Sequence, residues 1–395
     1  MTRRGRLALA LGVLTYVAAW AFGSRPLYPA AVGLLLAVLA AWLLVRLTAR
    51  PVSLRRSLRA EPLEGDDLQV RVELELESPR APATLTLVER YARIGERRTP
   101  LLREGSHLWA RYELPSVPRG RYTIEAHVVV EDPFGLERVE VPLARQPALV
   151  VYPRLVELER LFSESGMHAR DGRRVLLQRP SGFDVHSVRE YVEGDSLRKV
   201  HWRSTARRAR LMVKELEDSP RDELAVVLDA QRASVVGESF DVAVRAAGSI
   251  VRAFAKRGRR AALVIGGAAP QVQRVHAEGD WRRALELLAA AEADGDLPPE
   301  RLLAGDGTPA ALALDLVVVT SRLSPGVVEQ LTQRALSRRS TSVVYVDSAS
   351  WNGRPHSEPA LLRLDAAGVA VAVLRRGDDL ARVLGAEALA QVAHA

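Results

Sequence analysis

Between Ser181 and Glu217 the chain concentrates the side chains that could best take part in chemistry. Basic residues are interleaved there with two histidines and two aromatic residues. The residues that we single out are Arg189, Tyr191, Asp195, Arg198, His201, Trp202, Arg203 and Arg207. Guanidinium groups bind carboxylates and phosphates through paired hydrogen bonds. The stretch therefore predicts an anion site, a docking surface for a protein, or an internal network of ion pairs.

Nucleophilic hydrolysis is the enzymatic alternative for the same stretch. Ser204 or Ser187 would attack the substrate, with His201 as the base and Asp195 as its partner. Only geometry identifies such a triad, and neither serine lies in a nucleophile-elbow sequence. A nucleic-acid interface is not favoured either, because no recognised nucleic-acid motif accompanies the arginines. The pattern favours a protein that is not an enzyme and that has no catalytic residues.

Local spacing predicts how these residues are positioned. A strand, a helix and a second strand are expected over 187–192, 196–208 and 211–216. Asp195 would cap the helix, because its carboxylate can accept the first backbone N–H groups. Arg198 and Trp202 lie four residues apart and would stack on one helical face.

The N-terminal region predicts a membrane anchor. Two uncharged apolar runs, Leu7–Phe22 and Leu27–Val45, are separated by a short loop. Each is long enough, or nearly so, to cross a bilayer. Arginines precede the first run and follow the second, whereas the loop holds only Arg25, so the positive-inside rule predicts both ends in the cytoplasm. Residues 1–50 are thus predicted to form a transmembrane helical hairpin in the cell membrane, with lipid contacts over residues 7–45.

Composition adds two limits. The chain has 395 residues, a net charge of +8 and no cysteine. Without cysteine there can be no disulfide, thiolate catalysis or cysteine-bound metal. The positive charge would suit anionic lipid, nucleic acid or acidic protein partners.

Residues 51–153 are predicted to form a small antiparallel β-sandwich. Between Leu68 and Glu77, apolar and polar residues alternate with a period of two, which is typical of a strand with one buried face. Further short strand patterns follow, separated by turn sequences such as Asp132-Pro133-Phe134-Gly135. No catalytic cluster is evident in this region.

Residues 223–395 are predicted to form a doubly wound α/β domain, joined to the sandwich by the connecting segment 154–222. Apolar runs such as Glu223–Asp229 and Leu314–Thr320 are typical of buried parallel strands, and helical patterns separate them. Gly295–Ala311, rich in Pro, Gly and Asp, is predicted to be a flexible loop. No phosphate-binding G-x-x-x-x-G-K-[ST] sequence is present, so the chain is not expected to be an ATPase.

The central stretch also carries a family resemblance. Arg189-Glu190-Tyr191, Gly194-Asp195, Leu197-Arg198, His201-Trp202 and Thr205-Ala206-Arg207 resemble the signature of the bacterial family called domain of unknown function 58. Asp132–Leu136 and Val151-Tyr152-Pro153 also resemble that family. The resemblance implies a membrane-anchored protein with a von Willebrand factor A-like C-terminal domain. It implies association with a MoxR-type AAA+ ATPase, or with other membrane-complex components, and no enzymatic activity.

Domains of the von Willebrand A type commonly hold a metal ion through a D-x-S-x-S sequence after the first strand. Here Asp229 matches that sequence, but Gln231 and Ala233 replace both serines. A hard divalent cation needs several oxygen ligands, and Arg232 adds a positive charge nearby. Asp229 is therefore interpreted as the remnant of a degraded adhesion site, and no metal or other cofactor is predicted. The resulting hypothesis is a membrane-anchored scaffold or adaptor for protein–protein interaction, with a hydrolase centred on His201 or an anion-binding protein as alternatives.

Overall fold

The structure is a computed structural model, and it divides the chain into two compact units, Met1–Tyr152 and Pro153–Ala395. It describes residues 1–48, 51–58, 61–76, 84–104, 107–144, 146–162, 185–191, 200–208, 210–216, 223–276, 278–305, 307–337, 339–354 and 358–385. Among the predicted site residues, Asp195 and Arg198 lie outside these ranges, and of Arg189 only the backbone is described.

The first unit begins with two apolar helices, α1 (Arg3–Ala21) and α2 (Leu27–Thr48). In the described part of the chain, Leu27–Leu47 is the segment long and apolar enough to cross a membrane, with a mean hydropathy of 2.4. Helix α1 falls short of that measure because Arg3, Arg4 and Arg6 occupy its first turn. That both runs span a bilayer therefore stays a prediction.

The two helices pack closely at Gly12 of α1. Gly5, Gly12 and Ala19 are the buried residues of α1, and a side chain on Gly12 would begin 3.0 Å from that of Leu35. Small residues allow apolar helices to approach closely where lipid supplies no hydrophobic drive. The rings of Tyr16 and Tyr28 meet edge to face, with centroids 5.5 Å apart. Gly12 lies beside Leu35, whereas the later Tyr16 lies beside the earlier Tyr28, so the helices run in opposite directions.

Short antiparallel strands make up the rest of the first unit. They are β1 (Pro51–Leu58), β2 (Leu68–Leu76), β3 (Thr84–Tyr91), β4 (Gly95–Pro100), β5 (Leu102–Glu104), β6 (His107–Leu114), β7 (Gly120–Tyr122), β8 (Ile124–Glu131), β9 (Arg138–Pro142) and β10 (Leu149–Val151). Two sheets have the strand orders β1-β2-β6-β5 and β4-β3-β8-β9, and β10 pairs with β7. Alternate residues of both larger sheets, such as Val70, Leu87 and Val128, share one hydrophobic cluster.

The second unit has two groups of elements. Its N-terminal group is β11 (Val185–Glu190), α3 (Trp202–Arg208) and β12 (Met212–Leu216). Its larger group is β13 (Leu224–Asp229), α4 (Ser239–Lys256), β14 (Ala261–Gly266), β15 (Gln271–Val275), α5 (Glu278–Ala290), α6 (Pro299–Ala304), α7 (Pro309–Leu312), β16 (Asp315–Thr320), α8 (Pro325–Leu336), β17 (Ser340–Val346), α9 (Pro359–Ala366), β18 (Ala370–Leu374) and α10 (Leu380–Leu384).

A twisted α/β sheet organises this larger group. Its strand order is β15-β14-β13-β16-β17-β18, parallel except for the antiparallel edge strand β15. Alternate residues of β13 point to opposite faces: Val226 joins the cluster with α4, whereas Val227 joins the cluster with α6–α9. Helices on both faces explain why the central strands β13, β14 and β16 are largely apolar. The sheet therefore has the doubly wound arrangement that the alternating pattern predicts.

The predicted flexible loop over 295–311 was wrong. Helices α6 and α7 occupy it, and each begins with a proline, Pro299 and Pro309, whose fixed φ suits the first helical position. Leu302, Leu303 and Ala310 are buried against the sheet. Burial of these side chains outweighs a composition rich in Pro, Gly and Asp.

Candidate functional site

The described residues between Ser181 and Glu217 form a small module around a strand pair, which we call the signature module. β11 and β12 are antiparallel, with Glu190 opposite Met212, and the Tyr191 N–H donates to the Leu211 carbonyl at 2.9 Å. Val200 continues the pairing through a bridge to Val213. Val200, Met212 and Val213 are all buried. This apolar side fixes α3, which follows directly, on the strand pair.

Helix α3 begins at Trp202, so the predicted helix over 196–208 is wrong at Val200 and His201. Its predicted start at Ser196 and the predicted cap by Asp195 lie outside the described residues. Val200 is held extended by its bridge to Val213, which prevents a continuous helix across it. Arg198, the predicted stacking partner of Trp202, lies outside the described residues, so the stack stays a prediction. His201 takes the capping position, because its carbonyl accepts the Ser204 and Thr205 N–H groups at 3.0 Å.

The side chains of His201 and Thr205 complete this local structure. His201 Nδ1 lies 2.7 Å from Ser204 Oγ and 3.3 Å from the Ser204 N–H. Thr205 Oγ1 accepts the buried Met212 N–H at 3.0 Å, and the His201 N–H donates to the Met212 carbonyl at 2.7 Å. These contacts satisfy backbone groups at the start of α3 and β12, which would otherwise be costly to bury.

In the hydrolase alternative, the contact between His201 and Ser204 would join the base to the nucleophile. In a triad one ring nitrogen of the histidine faces the nucleophile and the other faces the acid. Here Ser204 meets Nδ1 within one helical turn, where it also closes the cap. The arrangement is that of helix capping. A carboxylate bound to the other ring nitrogen of His201 would have to come from residues that the structure does not describe, such as Asp195.

The opposite side of α3 faces solvent and is basic. Trp202 is 69% exposed, and Arg203, Arg207 and Arg208 are exposed as well. Arg210 pairs with Glu190 at 2.8 Å, whereas Arg203 and Arg207 form no ion pair with the described residues. We call Trp202, Arg203 and Arg207 the basic face. An exposed tryptophan flanked by arginines is the composition of interaction hot spots.

A second group of polar residues lies at the carboxyl ends of the parallel strands. Asp229 ends β13 and Thr320 ends the neighbouring strand β16. The helices after these two strands pack on opposite faces of the sheet, so the crevice between the strands is the switch point where α/β proteins bind ligands. Thr320 Oγ1 donates to Asp229 Oδ2 at 2.7 Å, and the Gln231 N–H donates to Asp229 Oδ1 at 3.0 Å.

These contacts occupy both oxygens of the Asp229 carboxyl, which is only 4% exposed. Burial raises the pKa of Asp229, an effect that the Thr320 and Gln231 hydrogen bonds partly offset and the nearby Glu300 charge reinforces. Ser324 donates to Glu300 Oε1 at 2.9 Å. Among the described residues no group of three or more His, Asp or Glu side chains could hold a metal ion. In this crevice Asp229 acts as the acceptor that joins β13 to β16.

Asp229→Asn is expected to leave the unfolding free energy unchanged or higher at pH 7. Because the folded protein holds the Asp229 proton more tightly than the unfolded chain, the wild type loses stability as pH rises from the ordinary carboxyl pKa to the raised value. Asparagine carries no charge, yet it can accept from Gln231 and donate to Thr320. Denaturant titrations at pH 4 and pH 7 measure the difference, which should be larger at pH 7.

Asp229→Leu is the matched control. It leaves the Gln231 N–H without its acceptor, at a cost of about 1–3 kcal/mol, and it removes the link between β13 and β16 because the Thr320 hydroxyl then has only the Arg322 carbonyl at 2.9 Å to donate to. Equal destabilisation by the asparagine and leucine variants at pH 7 would contradict the interpretation.

Sequence reasoning missed two residues of these sites. Thr320 could have been found, because it ends a strand that the pattern predicted and the carboxyl ends of adjacent parallel strands share one edge. Thr205 could not, because its role depends on the contact of α3 with β12. The degraded adhesion-site pattern drew attention to Asp229, but the hydrogen-bond partners of Asp229 depend on the order of the strands.

Comparison with known proteins gives one relative and one family. The chain is 30% identical over 223 residues to "Uncharacterized protein YeaD" of Bacillus subtilis (strain 168), covering 54% of this chain and 53% of the relative. The chain thus matches only about half the length of that relative. Residues 187–346, from β11 in the signature module to β17 of the α/β sheet, match the family described as "Protein of unknown function DUF58".

Proposed function

We propose that this protein is a membrane-anchored scaffold whose basic face binds an acidic surface of a protein partner. The observation that carries the proposal is the contrast between the two sides of α3. Its inner side is held by the hydrogen bond from the buried Met212 N–H to Thr205, whereas Trp202, Arg203 and Arg207 are exposed. A backbone that is already fixed in a helix loses little further freedom on binding, which favours an interface.

The remaining parts of the proposal come from the anchor and the family resemblance. The apolar segment Leu27–Leu47 supports attachment to the cell membrane, and the arginines at its cytoplasmic end support a cytoplasmic location for both units and both termini. Two spans, formed by α1 and α2, are part of the same proposal. The resemblance suggests a von Willebrand A-like second unit, for which the strand order and the antiparallel edge strand are support, and a MoxR-type AAA+ ATPase as the partner.

Capture of the partner from native membranes is the test. A triple variant, Trp202→Ala with Arg203→Glu and Arg207→Glu, should reduce co-purified AAA+ ATPase about tenfold or more, since a tryptophan or arginine hot spot contributes about 2 kcal/mol or more. Quantitative mass spectrometry of cross-linked, solubilised membranes gives the ratio.

Leu362→Ala is the matched control, because Leu362 is an equally exposed large side chain of the same unit outside the signature module. It should leave the amount of captured ATPase unchanged. Undiminished capture by the triple variant, or no enrichment of an ATPase by the wild type, would contradict the proposal. A hydrolytic activity lost in Ser204→Ala would instead favour the enzymatic alternative.

A further inference from the structure

A tight turn in the first unit is attached to the start of helix α1. Thr2 Oγ1 donates to the carbonyls of Gly135 at 2.6 Å and Leu136 at 3.0 Å, and the Thr2 N–H donates to Leu136 at 3.1 Å. A side chain on Gly5 would begin 2.1 Å from the Leu136 carbonyl oxygen. Only glycine at position 5 allows this approach, so the turn and the helix form one local structure.

The turn itself is rigid and projects an aromatic side chain. Asp132 accepts the Phe134 N–H at 2.9 Å through its buried carboxylate, and Gly135 adopts a positive φ of 66° that favours glycine. Phe134 lies at the tip between them and is 74% exposed. Exposure of this large apolar side chain to water is unfavourable, and its transfer to an apolar environment would be favourable.

The packing of α1 on α2 sets the level of this turn along the apolar segment. Gly12 of α1 lies beside Leu34 and Leu35 of α2. Gly5 comes seven residues before Gly12, and because the helices are antiparallel it lies level with a position seven residues beyond Leu34 or Leu35, near Trp42. The turn at Gly5 is therefore level with the last part of the segment Leu27–Leu47.

That level corresponds to the membrane–water interface if the segment spans a bilayer. Leu47 is five residues beyond Trp42, or about 7.5 Å at 1.5 Å per residue, which is close to the thickness of one headgroup region. Arg46 lies over the Trp42 ring at 5.2 Å, an aromatic and basic pairing typical of that region. Thr2 binds the carbonyl of Gly135, which directly follows Phe134, so the backbone of Phe134 lies close to the start of α1.

We propose that Phe134 inserts into the lipid interface of the cytoplasmic leaflet and that the 132–137 turn thereby fixes the β-rich unit against the membrane. The occupant of this surface is the bilayer, because the turn is continuous with the exposed apolar side chains of α1, beginning at Leu7. The inference rests on the membrane anchor of the proposed function. It gives the Asp132–Leu136 sequence a physical role that is separate from partner binding.

Site-directed spin labelling tests the proposal, and the absence of native cysteine makes single labels straightforward. The full chain is reconstituted in vesicles of phosphatidylethanolamine and phosphatidylglycerol, with labels at Phe134→Cys, Leu36→Cys or Ala92→Cys. Leu36 is an exposed residue in the middle of α2. Ala92 is exposed in the β3–β4 turn, at the far end of the sheet from the 132–137 turn, because Tyr91 pairs with Ile124 and Thr84 with Glu131.

Collision with oxygen, which dissolves in lipid, is compared with collision with a water-soluble nickel chelate. We expect labels at positions 134 and 36 to favour oxygen and the label at 92 to favour the chelate, with a severalfold difference in the ratio. A label at 134 that matches the one at 92, or that is shielded from both agents, overturns the lipid contact while position 36 still reports the span. A chelate-accessible label at 36 would overturn the membrane anchor itself.

Discussion

Glu89→Leu is expected to lower the unfolding free energy of the β-rich unit by about 3–5 kcal/mol, the usual cost of removing one partner of a buried ion pair. Glu89 is 1% exposed, and its carboxylate pairs with the guanidinium of Arg56, which is 8% exposed at its side chain. Without Glu89 the Arg56 charge would remain buried with no compensating anion. Native-state hydrogen exchange of the β3 and β8 amides, in the full chain in detergent, measures the loss.

The effect is large because the network joins the two larger sheets of the unit. Arg56 belongs to β1 and Tyr112 to β6 in one sheet, whereas Glu89 and Tyr91 belong to β3 in the other. The Tyr112 hydroxyl donates to Glu89, and the hydroxyls of Tyr91 and Tyr112 are hydrogen-bonded to each other. Burial and the Glu89 charge raise the pKa of Tyr91 to about 12. For Arg56, burial lowers the pKa, but the charge and hydrogen bond of Glu89 together with the charges of Tyr91 and Tyr112 outweigh it, so the pKa is raised.

Two further variants separate loss of the pair from loss of charge. The double variant Arg56→Met with Glu89→Leu should recover most of the stability, since well-packed apolar residues can replace a buried ion pair without net cost. Glu96→Gln is the surface control: Glu96 lies between Arg90 and Arg98 in solvent, and its loss should leave hydrogen exchange unchanged. If Glu89→Leu were as mild as Glu96→Gln, the pair would not contribute to folding.

Sequence periodicity could have located Glu89, because the side chain follows Leu85 and Leu87 on the same buried face of β3. A charged residue in such a register has to find a partner inside. Arg56 lies between Leu54 and Leu58 on the core-facing side of β1, so the same alternation could have placed it inside. That it meets Glu89 could not be predicted, because the contact depends on how the two sheets pack.

The centre of the α/β sheet could also be predicted from the sequence pattern, but its edges could not. The apolar runs of β13, β14, β16 and β17 indicate buried parallel strands directly. The edge strand β15 has the sequence QVQRV and is mostly exposed, so it carries no such signal. Local pattern thus predicts the centre of the sheet, whereas its edges and the start of α3 depend on contacts between distant residues.

Gly295→Ala is expected to destabilise the α/β sheet by about 3 kcal/mol, at the upper end of the usual cost of over-packing. A side chain at position 295 would begin 2.5 Å from the Gly266 carbonyl oxygen and 3.1 Å from that of Ala230. Both obstructing atoms are backbone, so neither can rotate away. The Gly295 N–H donates to Ala230 and its carbonyl accepts from Arg232, each at 3.0 Å, so the strain would reach the loop after Asp229. Hydrogen exchange of the β13 and β14 amides reports the effect.

Gly279→Ala separates this steric effect from the general consequences of replacing glycine. Gly279 lies in α5 with nothing within 4 Å of the added carbon, and alanine favours a helix over glycine by up to about 1 kcal/mol. The two substitutions should therefore change the stability of the second unit in opposite directions. Equal and small effects would mean that the 294–295 segment can move away from β14, as a flexible loop would. The two effects differ in sign because the backbone of Gly295 is in close contact with that of Gly266 and Ala230. The surrounding sequence, rich in Pro, Gly and Asp, gives no indication of this contact.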